Sequence, residues 1–361
     1  MQWSDLIGHQ QQFEWFNTAI ASNRLASSFL FVGPDGIGKR TFARLLAKSL
    51  LCQHGGGESM RPCGVCEDCA QVDARTHPDL VEVAKPADKA FIPIELLIGE
   101  REKRMREGLC HDISLRPFSG RRKVAILDDA DALNTEGANS LLKTLEEPPP
   151  DSLLILIGTS LQRQLPTIRS RCQAIIFRPL SADQMTTLLM RSQTVAGEED
   201  ALRLAMISGG SLTEARLLAD PDLINFRGSM LGYLAASKIP MAEFTKSCSG
   251  MIDAVGKDGK LRRERMKLLL RMAAAFYRGL AIRQHAGAGT SSQEVSQFTL
   301  QDDPELTRAI GRAIQHWKYG AQAATRCWLR CLTAIEEVDR NANQAALLEC
   351  LAADLAQASG C

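Results

Sequence analysis

The chain has 361 residues, 45% of them apolar and 24% charged, with a formal net charge of +1. That length exceeds one small core and predicts two or three domains of ordinary globular composition. Near-cancelling charge excludes a chain-wide electrostatic footprint for nucleic acid, and no apolar run reaches the ~20 residues that span a bilayer.

The opening stretch MQWSDLIGHQ carries neither the basic end nor the apolar segment of a leader, so the expected location is cytoplasmic. In a reducing compartment the eleven cysteines are not expected to pair as disulfides; clustered ones suggest metal and scattered ones packing. Phe13, Phe16, Ala19 and Ile20 then predict an amphipathic helix, with His9 before it as a packed or capping residue.

Phe29 to Val32 is an apolar strand entering the turn Gly33-Pro34-Asp35-Gly36-Ile37-Gly38-Lys39, followed by a helix with Phe42, Leu45, Leu46 and Leu50 at helical spacing. This is a P-loop. Gly33, Gly36 and Gly38 let the backbone wrap a phosphate, amides at the helix start point at it, and Lys39 supplies charge. Arg40 stands where a hydroxyl should hold Mg2+, and Thr41 comes one residue late. One residue rotates a helical side chain by roughly 100 degrees, so Thr41 does not simply replace the missing ligand. The loop can bind ATP, while Arg40 argues against Mg2+-dependent hydrolysis.

Cys52, then a ten-residue glycine-rich loop, then Cys63, Cys66 and Cys69 offer four thiolates for tetrahedral Zn2+. Four protein ligands leave no open position for water, so such a zinc is structural. Glu67 and Asp68 are expected to face solvent, and His77 to serve a loop rather than the metal.

Leu80 to Val83 predicts a short strand, and residues 94–109, with interleaved acids and bases, a solvated helix face. After the basic turn at 120–123, Val124 to Leu127 reads as a buried strand delivering Asp128 and Asp129 at its C-terminal edge. Following a P-loop, that is a Walker B arrangement: one acid for the metal's water shell and one to polarise water. Asp129 is a methylene shorter than the glutamate an ATPase normally uses. A helix from about Asn134 ends at Pro148-Pro149-Pro150, and Leu153 to Ile157 is another buried strand, ending near Thr159, which is placed to sense a γ-phosphate.

Beyond Ala174 to Phe177, a final strand, short helices are predicted over 181–191, 199–206 and 212–218, and from about 221 strand signals vanish. Helices are expected over 262–284, 305–340 and 343–358, with a glycine, serine and glutamine loop at 286–298 and Cys327, Cys331 and Cys350 in the core.

The order of P-loop, four cysteines, Thr76-His77-Pro78-Asp79, acid-tipped strand, Leu141 to Pro149 (LLKTLEEPP) and Ser170-Arg171-Cys172 resembles bacterial clamp-loader subunits of DNA polymerase III. The resemblance covers the whole chain and is densest over 1–178. It implies an α/β AAA+ P-loop core, a parallel sheet with helices on both faces and a zinc-binding insertion at about 52–69, over 1–178. A helical lid over 179–240 and an all-α collar over 241–361 would follow. Three departures from the gamma/tau motor pattern point to the delta-prime type: Arg40, Asp129, and Thr213 where the motor carries a sensing arginine. The chain also stops without the long tail of tau. Arg171, by the same resemblance, is an arginine finger reaching a neighbour's nucleotide. The implied partners are gamma/tau and delta subunits in a hetero-pentameric ring, with the sliding clamp and primed DNA met through the complex. Two rivals stand beside this: an active gamma/tau-type ATPase, and a zinc-dependent nucleic-acid-binding module with a vestigial P-loop.

Overall fold

In the computed structural model, residues 2–55, 59–119, 121–286 and 303–358 are described. The chain divides into two compact units: residues up to 188 together with 210–213, and 189–209 together with 214 onward.

The first unit is built on five parallel strands, β1 (Ser28–Val32), β2 (Leu80–Val83), β3 (Lys123–Leu127), β4 (Ser152–Gly158) and β5 (Gln173–Ile176), in the order β2-β3-β4-β1-β5. β1, β3 and β4 are buried throughout, which is why they read as continuous apolar runs rather than alternating ones. Successive side chains nonetheless go to opposite faces. Phe29, Phe31, Val124, Ile126, Leu153 and Ile155 pack with Phe16 of α1 (Gln10–Ala21) and Phe42 of α2 (Lys39–Leu51). Leu30, Val32, Ala125, Leu127, Leu154 and Leu156 form the other core. After α3 (Glu67–Ala74), that second core is covered by α4 (Glu95–Ile98), α5 (Leu109–Ser114), α6 (Thr135–Glu146) and α7 (Pro166–Arg169).

The Thr76 to Asp79 motif locks the entry to β3. The buried Asp79 carboxylate accepts from the Phe118 amide at 2.7 Å, the Ser119 amide at 2.9 Å and the Ser119 hydroxyl at 2.8 Å. Residues 94–109 do not form one helix: α4 stops at Ile98, and Gly99, Met105 and Gly108, all at positive φ, break the run into turns. Charge interleaving described the solvated surface but carried no information about those breaks.

Helices follow in order as α8 (Ala182–Arg191), α9 (Glu198–Ile207), α10 (Leu212–Leu218), α11 (Pro221–Leu234), α12 (Met241–Asp253) and α13 (Gly259–Ala286). The predicted helix over 305–340 is two, α14 (Pro304–Ile314) and α15 (Gly320–Asp339), parted at Gly320 with φ +66°. α16 (Gln344–Ala358) is the last. The second unit holds Cys327 and Cys331 in its core, whereas Cys350 is exposed, contrary to expectation. Its buried Arg227 pairs with Asp303 and, at 2.5 Å, with Glu305, tying α11 to the start of α14. Most of the expected loop at 286–298 lies outside the described residues. Among those described, no helix is long and apolar enough to cross a membrane.

Candidate functional site

The P-loop leaves β1 and enters α2 at the C-terminal edge of the sheet, where parallel α/β folds gather their ligands. Gly36 sits at φ +75°, and a side chain there would collide with Ser211 and Thr213, because the Gly36 carbonyl accepts from the Leu212 amide at 3.0 Å. The segment 211–213 therefore presses directly on the loop. From the other side, His9 Nε2 meets the Ile37 carbonyl at 2.7 Å. Burial lowers the His9 pKa, and the nearby Lys39 charge adds to this against the Ile37 hydrogen bond. A neutral ring donating from Nε2 braces the loop.

Lys39 is buried and donates from Nζ to the Gly33 and Pro34 carbonyls, each at 2.6 Å. Desolvation lowers its pKa, while Asp35, Asp128, Asp131 and Asp129 act in the opposite direction. The lysine and the acid-tipped strand thus converge as the motifs required. Arg40 Nη1 lies 3.1 Å from Asp128 Oδ2, and Nη2 3.9 Å from Glu82 Oε2. Glu82 is held in turn by Arg44, through Nε at 2.8 Å and Nη2 at 2.5 Å. Thr41, half-buried on α2, is not among the groups paired with these acids.

Asp129 takes a left-handed conformation, φ +56°, which an aspartate tolerates better than most residues. Burial, then repulsion from Asp128, raises its pKa. Thr159 at the end of β4 is tied down: its amide donates to Asp131 Oδ2 at 2.9 Å, its hydroxyl meets the same oxygen, and Gln164 bonds the other. Asp131, Glu82 and His9 were not legible as site residues, because each acquires its role from a partner at least 28 residues away.

The four cysteines come together. Their sulfurs all lie within 4.8 Å of one another, and Cys52 and Cys66 Sγ are 3.9 Å apart. Four Zn–S bonds in a tetrahedron separate sulfurs by roughly 3.8 Å, so the cluster fits a structural Zn2+. Backbone amides are aimed at the sulfurs: Cys63 N to Cys52 Sγ at 3.2 Å, and Cys66 N to Cys63 Sγ and Cys69 N to Cys66 Sγ, each at 3.4 Å. The Val65 amide, His54 and the Cys66 amide hold the Cys63 thiol down to about 5, whereas burial pushes Cys69 up. A bound dication would favour the thiolate form of its sulfur ligands and so oppose the effect of burial on Cys69. His77 is outside the cluster, as expected, but Asp68 is not a solvent-facing acid. It is buried on α3 with its Oδ1 3.4 Å from His77 Nε2, and Arg121 Nη1 lies 3.6 Å from its Oδ2. The Asp68 carboxylate thus lies between His77 of the Thr76 to Asp79 turn and Arg121.

Arg171 is placed apart from the P-loop cluster, paired with Glu146 at the end of α6. The family model described as DNA polymerase III, delta subunit, matches residues 8–181, just under half of the chain. The chain is 39% identical over 162 residues to the DNA polymerase III subunit delta' of Bacillus subtilis (strain 168), covering 45% of each. It is 29% identical over 279 residues to subunit tau of Escherichia coli (strain K12), covering 75% of this chain and 40% of that protein. Against subunit tau/gamma of Haemophilus influenzae the figures are 32% over 244 residues, 64% and 33%. Each match spans under half the length of these curated relatives.

Proposed function

Because the chain belongs to the DNA polymerase III clamp-loader family, within the group of gamma/tau and delta' subunits, we propose that it is a delta-prime-type stator. In this reading it takes part in ATP-dependent loading of the sliding clamp onto primed DNA, turning over little ATP itself. Its own place is a hetero-pentameric ring with gamma/tau and delta subunits, in the cytoplasm. The observation that carries the proposal is Arg40 on Asp128: a guanidinium pairs with the acid that would otherwise hold the metal's water shell. Asp129 in place of glutamate and Thr213 in place of a sensing arginine weaken the same site further.

Gly33, Gly36, Gly38, Lys39, Thr41, Asp128, Asp129 and Thr159 remain a nucleotide-binding constellation in outline. Lys39 would need to exchange two loop carbonyls for phosphate oxygens. Arg171 would serve a neighbour's nucleotide in trans, neutralising charge that develops on the transferring phosphoryl group. We read 1–178 as the core, 179–240 as the lid and 241–361 as the collar. Mixing the chain with gamma/tau and delta subunits should give a stoichiometric complex with clamp-stimulated ATPase. ATP turnover by the isolated chain at the rate of the complex would favour a motor subunit instead, and failure to assemble would end the proposal.

A further inference from the structure

Arg171 is held on two sides. Its Nε donates to Glu146 Oε1 at 2.8 Å, and Nη2 lies 2.5 Å from the same oxygen. Nη1 donates to the Thr167 carbonyl at 3.0 Å and to the Ser170 hydroxyl at 3.1 Å. A guanidinium is planar with five N–H donors, so a carboxylate along one edge and a carbonyl on the opposite flank fix its plane. Nε has one hydrogen and Nη2 has two. The second Nη2 hydrogen is therefore left on the edge that faces away from the carboxylate, and the side chain is still 32% exposed.

Glu146 is itself placed by rigid structure. It is the last residue of α6, whose Leu141 and Leu145 are buried, and the prolines at 148–150 cannot continue the helix. An acid at that end is also against the local electrostatics, because the helix C-terminus carries partial negative charge and favours a cation. Glu146 and Glu147 both break that preference. A local rule broken beside a held arginine signals a role other than helix stability.

We infer that Glu146 is the positioning residue of Arg171, fixing the guanidinium so that its outward edge meets an anionic group on a docking partner. This rests on the reading of Arg171 as a trans-acting finger. A group already fixed before reaction needs no reorganisation when charge develops, whereas a free arginine must first lose its rotamers. In this role Glu146 acts through Arg171, the residue its carboxylate holds.

The test is ATP hydrolysis by complexes reconstituted with motor subunits and carrying Glu146→Gln, Arg171→Ala or both. Glu146→Gln should lower kcat roughly two- to five-fold, the range that one exposed ion pair supports, and leave KM for ATP unchanged. In the Arg171→Ala background the same change should have no further effect, because its only route is gone. A fall that persists in that background means a general structural role and overturns the inference. An unchanged rate in Glu146→Gln also overturns it, and so does a faster one, because the carboxylate would then compete with phosphate for Arg171 rather than position it. If Arg171→Ala itself runs at the wild-type rate, the finger reading fails, and that outcome is distinct from a failure at Glu146 alone.

Discussion

Arg40 and Asp128 meet at 3.1 Å, so the first residue past the P-loop lysine is bonded to the first acid of the Walker B strand. In an ATPase those two positions would share a magnesium ion. Here one of them supplies the cation itself.

The isolated chain is accordingly expected to hydrolyse ATP no faster than its Lys39→Ala variant. Arg40→Thr removes the competing charge and restores a hydroxyl, and should raise affinity for Mg2+-ATP by about ten-fold or more. Calorimetric titration of both forms, with and without Mg2+, checks this; equal Mg2+-dependent affinity would show that Arg40 does not exclude the metal.

Metal analysis of the purified chain should find about one zinc per molecule, held by Cys52, Cys63, Cys66 and Cys69. Chelation, or Cys66→Ser, should lower Tm, because metal binding and folding of such a module are coupled. A fully folded, zinc-free protein with four freely titrating thiols at these positions contradicts the assignment.

If Arg171 serves a neighbour's nucleotide as proposed, Arg171→Ala should leave the chain folded and assembling while lowering DNA-stimulated ATPase and clamp loading by the reconstituted complex. Measured arginine fingers contribute about 10^3 to 10^5 at the site they serve, so the loss at the site facing this chain should be large. Arg171→Lys should rescue poorly, since it keeps charge but loses the planar fork. Rates measured on complexes reconstituted with each variant decide it; unchanged rates would remove the proposed finger role.

Burial alone would raise the Asp79 pKa, but the amides of Ser119 and Phe118, the Ser119 hydroxyl and Lys123 outweigh it and hold the carboxyl below its usual range. A group whose pKa is depressed on folding stabilises the fold above its unfolded value, near 3.9, and loses that contribution as pH falls through the folded value. Asp79→Asn should therefore cost about 1 to 3 kcal/mol at neutral pH, with the gap to wild type closing only at acid pH below the carboxylate range. Denaturant unfolding of both proteins at pH 7 and near pH 3 measures the difference; a pH-independent gap would mean that the charge is not what holds the turn.

The buried strands, the P-loop, the acid-tipped β3 and the cysteine cluster were all legible in the sequence. Each rests on side chains close in sequence whose chemistry has few other uses: a run of Leu and Ile between turns, glycines before a lysine, thiols at metal spacing. The central strands came within a residue of their ends for the same reason. Tertiary structure alone decided the pairings. Nothing local tells Glu146 from Glu147 as the partner of Arg171, 25 residues from Glu146, or shows that Arg40 meets Asp128. Asp68 looked solvent-facing because burial of an acid depends on a partner, and His77 lies beyond the module that contains it. Cys350 looked like a core residue because helical spacing does not say which face of a terminal helix is covered. The strand order β2-β3-β4-β1-β5 belongs to the same class. It brings Lys39 beside Asp128 and Asp131 only because β4 lies between β1 and β3, and that adjacency comes from packing three apolar strands side by side rather than from any one segment.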